Sequence, residues 1–117
     1  MKFALLIYQG STPVPGSTKW NELSETEQKA IYADYGKINN TPGVKPGMPL
    51  GSPTAAKTVR LLDGNVQVKD GTYLNEGVAG CFEFEAENIE AAIALASQIP
   101  AARLGGAIEV RPIEKYW

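Results

Sequence analysis

The residues able to do chemistry are few, and one absence limits them all: the chain has no histidine. Ser-His-Asp and Cys-His catalysis are excluded, and so are the usual zinc sites. Carboxylates, phenols, one thiol and a guanidinium remain. Asp70, beside Gly71, can act as an acid, base or anchor in a ligand loop; its plainer role is a turn carboxylate accepting from backbone amides two residues on. Glu76 follows in the same loop. Two carboxylates in one cleft would split their pKa values for acid–base work; a solvated loop acid is the simpler account. Tyr8 closes the first predicted strand and offers a phenol as donor or weak acid, or else a half-buried interface tyrosine. Tyr35 lies on a helix stripe, where core packing with a satisfied hydroxyl is expected, and Asp34 beside it is expected in solvent. Arg103 precedes Gly105-Gly106, which allow close backbone approach. It can clamp a carboxylate or phosphate, or cap a helix, or pair with Glu109 or Asp70. Cys81 has no cationic neighbours in sequence and reads as a buried, inert thiol. Glu83, Glu85 and Glu87 alternate as a solubilising strand face does, although such a row can also bind a hard cation. No pattern requires a metal or cofactor, and nothing in these residues names a reaction.

The elements that must position these groups follow from periodicity. Lys2–Tyr8 is a strand with Phe3, Leu5 and Ile7 on one face and Ala4, Leu6 and Tyr8 on the other, apolar on both. Gln9 to Lys19 reads as loop. Ser24-Glu-Thr-Glu27 is a capping box that opens a helix buried along Ile31, Tyr35 and Ile38. Pro42 to Pro53 is rich in proline and glycine, and reads as an extended crossing with at best an edge strand near Met48–Gly51. Thr58–Leu62 and Asn65–Lys69 flank Asp63-Gly64, the dipeptide of a type I′ hairpin turn, with one wet face. Cys81–Glu85 is a strand, Asn88 caps a helix with a stripe of Ile89, Ala92, Ile93, Ala96 and Ile99, and Ala107–Arg111 is the last strand. Trp20 and Trp117 read as packing anchors.

This order predicts a single α+β domain with a ferredoxin-like βαββαβ pattern and an extra β-hairpin. Two helices cover one sheet face. The other, with Ala4, Leu6 and Tyr8, is expected to close against a second copy, making a homodimer through sheet faces. Burying ~600 Å² of apolar surface per subunit would gain roughly 15 kcal/mol before association costs. The rival is that the hairpin or the proline-rich segment folds over that face within one chain. The length of 117 residues, 44% of them hydrophobic, suits one globular domain. A net charge of -2 draws the chain to neither nucleic acid nor anionic lipid. No run is long enough to span a membrane. The apolar opening is too short for a signal-peptide core, and one cysteine allows no intrachain disulfide, so a cytoplasmic location is expected.

Several short motifs, in order over nearly the whole chain, resemble the YCII-related family in its DGPF-domain branch. They are Met1–Tyr8, Tyr32-Ala-Asp-Tyr-Gly36, Thr58-Val-Arg60 before Asp63-Gly64, Asp70-Gly71-Thr-Tyr73, Ile99–Gly106 and Glu109-Val-Arg-Pro112. The resemblance implies a dimeric α/β barrel of ferredoxin-like subunits and little about activity; Tyr73 stands where the family usually has Phe. A small-molecule ligand is expected in a cleft between the helix-side end of the sheet and the Asp70–Gly80 loop, holding Tyr8, Asp70 and Arg103 together. The family's members are mostly of unknown function. Some look enzyme-like; others are encoded beside extracytoplasmic-function sigma factors, which implies an alternative role as a regulatory partner, with Tyr116 and Trp117 as the contact. One branch uses a His–Asp pair that this chain cannot supply. The loop here is also shortened, lacks the family's lysine, and carries Thr72 in place of Pro.

Overall fold

The structure, a computed structural model, describes residues 1–116; Trp117, read above as an aromatic anchor, lies outside the described residues. Strand β1 (Lys2–Tyr8) is followed by a short helix α1 (Thr18–Glu22) and the long helix α2 (Glu25–Asn39). Next come β2 (Met48–Pro49), the hairpin strands β3 (Lys57–Leu62) and β4 (Asn65–Asp70), β5 (Val78–Glu85), helix α3 (Ile89–Ala96) and β6 (Ala107–Pro112). The result is a mixed α+β chain. Its four-stranded sheet, in the order β2-β5-β1-β6, is antiparallel throughout and compatible with a ferredoxin-like arrangement.

The alternation in β1 sets the layers. Phe3, Leu5 and Ile7 are buried with Phe82 and Phe84 from β5, beneath Ile38 of α2 and Ala92, Leu95 and Ala96 of α3. Ala4, Leu6 and Tyr8 point the other way and stay half-buried. Across that open face, Leu6 stands between Cys81 and Glu109, and Ala4 between Glu83 and Arg111.

Helix α2 starts at the capping box expected: Glu27 N–H donates to Ser24 Oγ at 3.1 Å, and Ser24 N–H donates to Glu27 Oε2 at 3.2 Å. The hairpin also forms at the expected turn. Asp63 (φ 51°) and Gly64 (φ 78°) both take the left-handed conformation that a type I′ turn needs. Its strands pair in register from Lys57–Asp70 to Leu62–Asn65 as a separate two-stranded ribbon.

Four expectations need correcting. The segment through Lys19 is not all loop: Ser17 Oγ accepts from Trp20 N–H at 3.2 Å and caps α1, which buries Trp20. Strand β5 begins at Val78 rather than Cys81. The buried stripe of α3 is Ala92, Leu95 and Ala96, continued by Ile99 just beyond the helix, while Ile89 and Ile93 are exposed. That i, i+3, i+4, i+7 arc puts alanines against the sheet, letting the helix approach where larger side chains would hold it off. Cys81 is half-buried rather than buried, because it lies on the open face beside edge residue Met48.

Candidate functional site

A cavity of about 320 Å³ lies between α2 and the β5–β2 side of the sheet. Ile31 and Tyr32 come from α2 one turn before Tyr35, so the face that covers the sheet also forms the roof. Ile7 and Phe82 form the floor, and Trp20 closes one end. Aromatic contacts hold the wall in shape. Trp20 and Tyr32 meet edge to face at 5.3 Å, and Tyr35 stacks on Phe82 at 6.5 Å. The proline-rich crossing closes the remaining side through Gly47, Met48 and Pro49. Gly47 is there of necessity, since a Cβ would sit 2.5 Å from the Phe82 ring.

The polar complement is small. Asn39 Oδ1 accepts from Gly47 N–H at 3.0 Å, which leaves its amide NH2 to donate. Gln9 Nε2 donates to the Thr12 carbonyl at 3.0 Å, which leaves its amide oxygen to accept. Burial pushes the Tyr35 phenol above its ordinary pKa, against a smaller lowering by Arg103. At neutral pH the hydroxyl is therefore a donor and not a base. Among the described residues lining the cavity there is no Asp, Glu, Lys or Arg.

Of the ligand-binding candidates Tyr8, Tyr35, Asp70, Gly71, Tyr73, Glu76 and Arg103, Tyr35 alone lines this cavity, joined by Cys81, which the sequence suggested was inert. Arg103 is committed elsewhere: its guanidinium bonds Asp34 on α2 at 2.5 Å, rather than Glu109 or Asp70. Asp34 is accordingly a paired carboxylate and not the solvated one expected. Sequence could not show this, because the two residues are brought together only when the turn after α3 packs under α2. Asp70 pairs with Lys57 at the base of the ribbon. Gly71 holds the same base: its N–H donates to Ala56 O at 2.8 Å and its carbonyl accepts from Thr58 Oγ1 at 2.8 Å. Tyr73 is exposed, with Arg60 5.9 Å over its ring, and Glu76 is exposed. Tyr8 lies on the open sheet face. Glu83 pairs with Lys45 at 2.7 Å; this bond holds its carboxyl below, and the Lys45 ammonium above, their ordinary ranges. Among the described residues no three His, Cys, Asp or Glu are grouped as a metal site.

The glycine pair serves packing. Gly106 passes so close to the end of β1 that a Cβ would lie 2.2 Å from Tyr8 O, and Gly105 O accepts from Ser11 N–H at 3.1 Å. The residues that sequence reasoning missed are Trp20, Tyr32, Asn39 and Met48. The spacing of Ile31, Tyr32 and Tyr35 was the available signal, but it reads equally as a core stripe.

Among the described residues, no helix is long and apolar enough to cross a membrane. No protein-family model matches the chain, and no curated protein matches it significantly.

Proposed function

We propose that this chain is a small-molecule-binding domain that holds a neutral, largely apolar ligand between α2 and the β5–β2 side of the sheet. The observation that carries the reading is an aromatic cavity of about 320 Å³ with no charged side chain in its wall. Its size is at the lower end of the ~300–1,000 Å³ of small-molecule sites. Burying a charged ligand in such a wall would cost several kcal/mol without a partner for the charge, so the wall selects neutral compounds. Tyr35, Asn39 and Gln9 supply the few hydrogen bonds that fix orientation. The buried Tyr35 phenol is held protonated, so the chemistry it offers is binding and orientation rather than proton transfer.

The reading extends to the assembly. The protomer is taken as a ferredoxin-like member of the YCII-related, DGPF-like proteins, working in the cytoplasm as a two-fold homodimer of α/β-barrel type. What supports the pairing is the open sheet face, where Ala4, Leu6 and Tyr8 form a half-exposed apolar strip. Sedimentation at micromolar concentration then gives twice 12.6 kDa.

A thermal-shift panel of neutral aromatic and alicyclic compounds, each beside an anionic analogue, tests the ligand class. A neutral compound at 100 times its Kd stabilises the chain by ~2.7 kcal/mol. Ile31→Trp fills the cavity and abolishes that shift. A shift produced only by the anionic analogues overturns the reading.

A further inference from the structure

The β3–β4 ribbon is the part of the fold that neither the core nor the cavity uses. Val59 pairs with Val68 and Leu61 with Val66, so all four side chains share one face of the ribbon. They are 64%, 63%, 69% and 67% exposed, respectively. Thr58, Arg60, Gln67 and Lys69 occupy the opposite, polar face. The apolar face is electrically neutral, because the Lys57–Asp70 ion pair closes its base.

The ribbon stands away from its own body. The radius of gyration is 16.1 Å, against ~13 Å for a compact chain of this length. The principal extents are 50 × 40 × 19 Å. An isolated two-stranded ribbon is only marginally stable in water, so this one needs a surface to lie on.

We propose that the ribbon is an arm received by a second copy of this chain, the Val59-Leu61-Val66-Val68 face lying on the partner protomer. This rests on the pairing reading above and adds a second contact to it. Four Val or Leu side chains two-thirds exposed amount to on the order of 300 Å² of apolar surface. The half-exposed strip of Ala4, Leu6 and Tyr8 on the sheet falls short by itself of the ~800 Å² per partner of a stable interface. Two symmetry-related arms make up much of the shortfall, each on the other protomer. A charged partner such as nucleic acid finds no matching charge on this face, and the cationic Arg60 and Lys69 point away from it.

Sedimentation equilibrium of the full chain and of the double variant Leu61→Ser/Val66→Ser tests the arm, with Arg60→Ala/Gln67→Ala on the polar face as control. The expected result is a wild-type dimer, at least tenfold weaker association in the apolar-face variant, and no change in the control. Amide exchange on the wild-type chain gives a second readout that needs no substitution. The 59–68 amides should exchange at least tenfold more slowly as protein concentration rises through the dimerisation range. A wild-type dimer whose association and arm exchange ignore both tests overturns the arm and leaves the sheet pairing standing. A wild-type monomer overturns both.

Discussion

Arg103 Nη2 donates to Asp34 Oδ2 at 2.5 Å, joining residues 69 positions apart. The bond ties the turn after α3 to the middle of α2, one residue from Tyr35, whose ring lines the cavity. The positive charge therefore acts on the cavity's one buried phenol from outside the wall.

Removing that charge has a defined sign. Arg103→Ala raises the Tyr35 pKa further, since burial then acts without the opposing cation. Ultraviolet phenolate titration, compared with Tyr35→Phe to isolate the signal, reads the change. The stability cost of losing the half-exposed ion pair stays within about 1 kcal/mol. An unchanged or lowered Tyr35 pKa would contradict the geometry.

The same phenol sets an alkaline limit on stability. Its folded pKa lies above the ordinary 10.0. As pH rises past that value the unfolded chain releases the proton first. The contribution is complete below pH 10.0 and is lost as pH climbs through the folded pKa. Denaturant midpoints measured across this window should fall more steeply for wild type than for Tyr35→Phe.

Gly106→Ala puts a Cβ 2.2 Å from a backbone oxygen that cannot move aside. The expected loss is about 2–3 kcal/mol, roughly a 10 °C drop in Tm. Gly51→Ala, where a Cβ meets nothing within 4 Å, is the control and should melt close to wild type.

Thr12 is buried, and its Oγ1 has no hydrogen-bond partner among the described residues. Thr12→Val keeps the shape and removes the orphaned hydroxyl. Thermal melting should show a gain of about 1 kcal/mol; a loss of that size would show that the hydroxyl is satisfied in solution.

Ser24→Ala removes the acceptor that holds Glu27 N–H at the start of α2. The cost is about 1 kcal/mol. Because α2 roofs the cavity, amide exchange in its first turn should quicken before that of Ile38, which is buried in the core.

What the sequence determined by itself is what depends on near neighbours. The capping box at Ser24, the Asp63-Gly64 turn, the alternation of β1 and the Asn88 cap each depend on residues within four positions of one another, so all were legible. Trp20 was readable as an anchor, but the short helix carrying it rests on one Ser17 cap, too weak a signal to stand out from the surrounding glycines and prolines. The tertiary structure alone decided the rest. Which arc of α3 is buried depends on how closely the sheet approaches, and that favoured Ala92 and Leu95 over Ile93. Arg103 found Asp34 through a contact that chain closure creates across 69 positions, whereas the Asp70–Lys57 pair follows from the hairpin register alone. The cavity itself arises where α2, the β1 and β5 strands and the Gly47–Pro49 crossing fail to fill the space between them. A void of that kind is a property of packed volumes, which no local pattern encodes.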